Sequence, residues 1–165
     1  MLIREAELDD AENLIKLIKQ VEAESPFMLM EAGERKTSPE DQRRILERMK
    51  RESHSAIFVA EQDGRLVGYL IAIGGNANKI KHRAYLVIGI LEEFRGQGIG
   101  TALFQHLEEW AASHYIERLE LTVVTDNNAG VALYKKRGFE IEGTKRKSIK
   151  MNGQYYDEYY MAKLL

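Results

Sequence analysis

The chain has 165 residues, 44% of them hydrophobic and 30% charged, which suits one globular domain over residues 1–165 with a sizeable core. A net charge of −2 excludes a broad basic field for nucleic acid, and the lack of cysteine excludes disulfides, thiolate metal sites and cysteine nucleophiles. No apolar run approaches membrane-spanning length, and Met1-Leu2-Ile3-Arg4-Glu5 carries charges where a signal peptide needs an apolar core, so a cytoplasmic location and no membrane partner are expected.

Leu2 to Ala6 reads as a short first strand. Asp9 or Asp10 caps a helix whose apolar positions Ala11, Leu14, Ile15, Leu17, Ile18 and Val21 share one face. Ser25 to Thr37 lacks a period and reads as a loop. Ser38-Pro39-Glu40-Asp41 starts a second helix, with serine as cap and proline in the first turn, running to about Arg51. Ala56 to Glu61 and Arg65 to Ile73 are strands joined by a hairpin turn at Asp63-Gly64. After a loop at Gly74 to Asn78, Ala84 to Leu91 is apolar on both faces and so a buried strand. Gly89 within it suggests a bulge or a close ligand approach. A helix from Gly98, a strand from Leu119 to Val124 and a helix from Asn128 to Arg137 follow, the last closed by Gly138. Phe139 to Ile149 and Gln154 to Met161 form a final hairpin about Asn152-Gly153. The order is β-α-α-β-β-β-α-β-α-β-β, with no repeat, low-complexity segment or interdomain linker.

The most informative stretch is Arg95-Gly96-Gln97-Gly98-Ile99-Gly100-Thr101, which joins the buried strand to the next helix. Glycines there remove Cβ atoms that would block close approach and permit positive φ. The helix start offers unpaired N–H groups and a positive dipole end, so a phosphate or pyrophosphate is the natural guest. A P-loop requires lysine before Thr101, and none is present. A dinucleotide fingerprint read from Gly98 fails at Leu103, although Glu120 lies near the expected distance for its ribose-binding acid. What remains is Arg-x-x-Gly-x-Gly, a loop that grips the pyrophosphate of coenzyme A; a plain strand-to-helix turn is the competing reading.

A second segment shifts that balance. Asn127-Asn128-Ala129-Gly130-Val131-Ala132-Leu133-Tyr134-Lys135-Lys136-Arg137-Gly138-Phe139 fits Asn-x-x-small-x-x-Leu-Tyr-x-Lys-x-Gly-Phe. With both segments in this order, the chain resembles the GNAT superfamily of acyl-CoA-dependent N-acetyltransferases over nearly its whole length. Gly130 stands where the family more often has alanine, and Glu92 and Glu93 occupy a turn where many members carry proline.

The resemblance implies an α/β (α+β) GNAT fold. Its central mixed, mostly antiparallel sheet has about seven strands, splays between the fourth and fifth, and is flanked by about four helices. It implies acetyl-CoA as co-substrate, no metal, a small-molecule amine as acceptor, and it allows a homodimer. The backbone of Ile90 and Leu91 then contacts the pantetheine arm, with an N–H there, taken as that of Ile90, polarising the acyl carbonyl. The pyrophosphate sits on N–H groups of Arg95, Gly96, Gln97, Gly98, Ile99 and Gly100, with Thr101 nearby. Tyr134 matches the tyrosine that acts as general acid for the leaving thiolate, and a phenol lies near a thiol in pKa; the competing reading is a core tyrosine one turn from Val131. Asn127 touches the pantetheine amide, caps the following helix, or does both. Lys136 reaches the adenosine phosphate or belongs to a solvated helix face.

The general base is not legible among Glu92, Glu93, Glu120, His82 and Tyr85. The acceptor wall is sought in the first helix-loop-helix, through Phe27 and Glu31, and in the last hairpin, through Tyr155 and Asp157 on one strand face. Both segments also read as ordinary packing. Three functions stand beside one another: acetyl transfer to a small amine or amino acid, acetyl transfer to a protein N-terminus or lysine, and a non-catalytic acyl-CoA sensor.

Overall fold

The computed structural model describes Met1–Leu165. Its strands are β1 (Leu2–Glu5), β2 (Ala56–Gln62), β3 (Arg65–Gly74), β4 (Arg83–Ile90), β5 (Arg118–Val124), β6 (Glu140–Met151) and β7 (Gln154–Leu164). Its helices are α1 (Ala11–Glu24), α2 (Pro39–Arg51), α3 (Ile99–Ser113) and α4 (Asn128–Lys136). The strands form one sheet in the order β1-β2-β3-β4-β5-β7-β6, antiparallel except for the β4–β5 pair. The element order is the one the sequence patterning predicts. No helix is long and apolar enough to cross a membrane.

Local chemistry accounts for most of these elements. The apolar stripe of α1 is buried from Ala11 to Val21. Ser38 and Asp41 form a capping box at α2, with Pro39 as first residue. Asp63-Gly64 and Asn152-Gly153 take positive φ at both positions, as tight hairpin turns require. The start of α1 differs from expectation. Leu8–Asp10 forms a 3-10 turn, and the Asp10 side chain does not cap α1. Its carboxylate instead accepts from the Glu7 N–H at 2.6 Å and from Arg4 at 2.7 and 2.9 Å. That pairing holds the Asp10 carboxyl below the usual carboxylate range.

The two sheet faces carry different helices. On one face Phe58 of β2 packs edge-on against His106 and Trp110 of α3, and Phe104 of α3 meets Phe139 and Tyr134 beyond it. On the other lie α1 and α2. A single apolar cluster of 35 buried residues runs through both layers.

The sheet opens between β4 and β5. These strands pair only at Arg83–Arg118, Ala84–Leu119 and Tyr85–Glu120. Beyond that point β4 follows β3 from Leu86–Ala72 to Ile90–Gly68, while β5 follows β7 from Leu121–Met161 to Val124–Glu158. The two strands therefore part company at their carboxyl ends and leave a gap.

Gly89 does not form a bulge, since the β3–β4 register is unbroken. Its partner across the ladder is Tyr69, whose ring lies over it. A Cβ at Gly89 would stand 2.6 Å from Tyr69 Cε1 and 2.7 Å from Cζ and the hydroxyl. Gly89→Ala should therefore lower stability by about 1–3 kcal/mol through overpacking, read as a lower urea midpoint at constant m-value. An unchanged midpoint would show that the ring can withdraw freely.

Candidate functional site

The gap is lined by backbone before it is lined by side chains. Leu91 N–H bonds to Val67 C=O at 3.0 Å, so Leu91 and Gly89 turn their polar groups toward β3. Antiparallel alternation then turns those of Ile88 and Ile90 toward the gap, where β5 no longer pairs. The Ile90 C=O accepts from Arg95 Nε at 3.3 Å, leaving its N–H facing the opening. Leu91 is different. Its N–H is taken by Val67, its C=O accepts from Phe94 N–H at 2.9 Å, and its side chain is buried. Of the two backbone contacts expected, Ile90 is offered to the gap and Leu91 is not.

After β4 the chain makes a 3-10 turn over Glu92–Phe94 and enters the glycine loop. Arg95 N–H closes that turn on Glu92 C=O at 3.2 Å. No backbone N–H from Gly96 through Thr101 meets an acceptor, and the first helical bond of α3 runs from Ala102 N–H to Gly98 C=O. The free donors thus run from Gly96 to Thr101, one residue later than expected. Gly96 and Gly98 hold φ of +72° and +84°, and both are exposed with open space where a Cβ would stand. Gly100 serves packing: a Cβ there would lie 2.9 Å from Leu133 Cδ2 of α4. Ile99 is buried under the loop, while Gln97 reaches back to Glu93 C=O at 3.2 Å.

Across the gap, α4 opens on Asn127. Its side-chain oxygen accepts from Gly130 N–H at 3.0 Å, an N-cap, and its amide NH2 makes no protein bond. A Cβ at position 130 would lie 2.6 Å from that amide nitrogen, which gives a reason for glycine there. Tyr134 is 8% exposed and sits edge-on to Phe104 at 5.9 Å. Its hydroxyl has no protein partner. Burial pushes its pKa up to about 12, with nearby Tyr85 adding to the rise. The phenol is thus a weaker acid than a free one and stays protonated at ordinary pH. The Tyr85 hydroxyl bonds Thr122 Oγ1 at 2.8 Å and bridges β4 to β5 where they diverge. Lys136 is exposed and unpaired.

The expected acceptor residues are not brought together. Glu31 is exposed, and Phe27 is half-buried with its N–H on Ser25 Oγ at 3.2 Å. Tyr155 is 53% exposed, with Lys147 and Lys150 over its ring. The Asp157 carboxylate accepts from Lys147 N–H at 2.8 Å and pins an irregularity in β6. The register Val123–Tyr159 places Tyr155, Asp157 and Tyr159 on the α3 face. The opposite set, Tyr156, Glu158 and Tyr160, shares the α1 face with Thr122 and Tyr85. Glu158 is half-buried and accepts from Ser148 Oγ at 2.6 Å.

Two other carboxylates near the gap are engaged. Glu120 pairs with Arg118 and Arg83 beside an open pocket of about 300 Å³, and Glu93 pairs with Arg65. No group of three or more His, Cys, Asp or Glu side chains converges as metal ligands do.

The residues missed by sequence reading are Glu22, Arg35 and Tyr69, which gather on the α1 face. Glu22 carried a signal, being a carboxylate one turn beyond Ile18 on an otherwise apolar stripe. Arg35 carried none.

Comparison with known proteins agrees with this arrangement. Residues 18–139 match the profile of the Acetyltransferase (GNAT) family. The chain is 37% identical to the L-amino acid N-acetyltransferase AaaT of Escherichia coli over 108 residues, covering 65% of this chain and 67% of that one. It is 32% identical to an N-alpha-acetyltransferase of Sulfurisphaera tokodaii, covering 97% and 90% of the two chains. The crystal structure of a GNAT-family acetyltransferase from Streptococcus pneumoniae superposes with a TM-score of 0.96 at 30% identity, over 99% and 98% of the two chains. A gap that offers the Ile90 N–H, a run of free amides before α3 and a match over residues 18–139 make one conclusion: the chain belongs to the GNAT family of N-acetyltransferases, with acetyl-CoA as co-substrate.

Proposed function

We propose that the protein, acting as one acetyltransferase domain, moves the acetyl group of acetyl-CoA to the primary amine of a small molecule or amino acid by direct attack. The co-substrate supplies an acetyl group activated as a thioester. The observation that carries this reading is the alignment of three unsatisfied sets of groups along the β4–β5 gap. Free amides from Gly96 to Thr101 form an anion cradle at the start of α3. The Ile90 N–H is the donor available to an acyl oxygen inside the gap. The Tyr134 hydroxyl, protonated and without a partner, is the acid available to a departing thiolate. The free amide of Asn127 is a further donor for the pantetheine arm.

A protein N-terminus is the second reading, supported by the alignment with the Sulfurisphaera tokodaii N-alpha-acetyltransferase over 97% of the chain. Thiol release from acetyl-CoA separates the two. The protein has no cysteine, so a thiol reagent sees only the product. Release that depends on an added amino acid is the expected result. Release only with N-terminal peptides would move the assignment to protein substrates. Silence across amino acids, polyamines, aminoglycosides and peptides, with coenzyme A still bound, would leave a sensor.

A further inference from the structure

Glu22 lies in the last turn of α1, with a carboxylate only 3% exposed. Both oxygens accept from Arg35: Oε1 from Nε at 3.0 Å, and Oε2 from Nε at 3.0 Å and Nη2 at 2.8 Å. The other guanidinium edge, at Nη1, makes no bond, and the Arg35 side chain is 29% exposed. The end of α1 is tied to the end of β4, because Glu24 Oε1 accepts from Glu92 N–H at 2.9 Å. This tie holds Glu22 beside the carboxyl end of β4, where Tyr69 of β3 pairs with Gly89. Tyr69 is 1% exposed, its hydroxyl stands over Gly89, and no protein group bonds that hydroxyl. Gly89 immediately precedes Ile90, whose N–H faces the gap. Burial pushes the Tyr69 phenol well above its ordinary pKa, with Glu22 adding to the rise, so the hydroxyl stays intact.

The Tyr69 hydroxyl makes no protein hydrogen bond and is not sealed from solvent, so it is free to accept one from a bound group. A guanidinium locked on one edge by a carboxylate presents its other edge as a fixed, directional donor suited to a carboxylate. We propose that Arg35, held by Glu22, and Tyr69 form the acceptor subsite, and that the acceptor is a free amino acid: its carboxylate lies on the Nη1 edge of Arg35, and its amine donates to the Tyr69 oxygen, keeping its lone pair for attack. A peptide N-terminus has no carboxylate at that distance from its amine and leaves the Arg35 edge unpaired. The proposal rests on the acetyltransferase reading above and narrows it to one substrate class.

The test is calorimetric binding of the common L-amino acids, each beside its primary amide, to protein saturated with coenzyme A. The amides should bind about 10²-fold more weakly than the acids. Glu22→Gln combined with Arg35→Met removes both charges of the pair together, so the buried one is not orphaned. It should bind acid and amide alike with unchanged coenzyme A affinity. If that variant fails to fold, Arg35→Lys keeps the charge, loses the fork and should narrow the preference about tenfold. Tyr69→Phe should lower kcat about tenfold and leave amino-acid affinity in place. No amino acid binding, equal binding of acid and amide, or a preference that survives removal of Arg35 each overturns the subsite. Acid-selective binding without thiol release would instead sink the catalytic reading and leave the subsite standing.

Discussion

Tyr134→Phe is expected to lower kcat by about 10²- to 10³-fold while leaving the acetyl-CoA Kd unchanged. The substitution is clean because the hydroxyl takes part in no hydrogen bond within the fold, so its removal orphans no partner. The ring keeps its edge-on contact with Phe104 at 5.9 Å and its place beside Phe139. Thermal stability should therefore hold or rise slightly, which separates a chemical defect from a structural one. The pH profile adds a second reading. The folded phenol titrates at about 12, above the ordinary value of 10.0. Its contribution to stability is thus fully present below pH 10 and is lost as pH rises toward 12. Any alkaline fall in rate below pH 10 must come from another group. Unaltered turnover in the phenylalanine variant would remove Tyr134 from the chemistry and leave it as core.

Legibility of this chain followed the range of the interaction. The glycine loop was readable because its chemistry is local: positive φ at Gly96 and Gly98 and free amides at a helix start are set by neighbours in sequence. The hairpin turns at Asp63-Gly64 and Asn152-Gly153 were readable for the same reason. The bulge offered at Gly89 did not form, because its partner, Tyr69, stands on another strand and the pressure for glycine comes from that ring. Asp10 was misread because Arg4 draws its carboxylate away from the helix it precedes.

The acceptor side was the least legible part. Alternation sorted β7 into its two faces, but choosing the face that meets the gap needs the sheet order, which places β7 between β5 and β6. Tyr155 and Asp157 were chosen on alternation alone; the register puts them on the α3 face and Tyr156 and Glu158 on the α1 face. The Glu22–Arg35 pair joins the end of α1 to the segment before α2, and nothing in the loop between them announces the contact. An apolar stripe interrupted by one carboxylate was the only trace.

Gly98→Asp should fold and lose coenzyme A affinity by about 10²- to 10³-fold in calorimetry. The position has φ of +84°, which most residues resist, but aspartate and asparagine tolerate left-handed backbone better than other side chains. Open space at the Cβ means that no protein atom must move. The loss then comes from what the side chain does to the loop's guest. A carboxylate placed among the free amides from Gly96 to Thr101 repels a pyrophosphate and competes for the same donors. Gly98→Asn separates backbone strain from charge, since it shares the conformational demand without the carboxylate. Its loss should be smaller, about tenfold, and insensitive to salt, whereas the aspartate defect should shrink as ionic strength rises. Equal, salt-independent losses in both variants would mean that backbone geometry alone controls the loop. Full affinity in the aspartate variant would mean that the pyrophosphate does not sit on these amides at all.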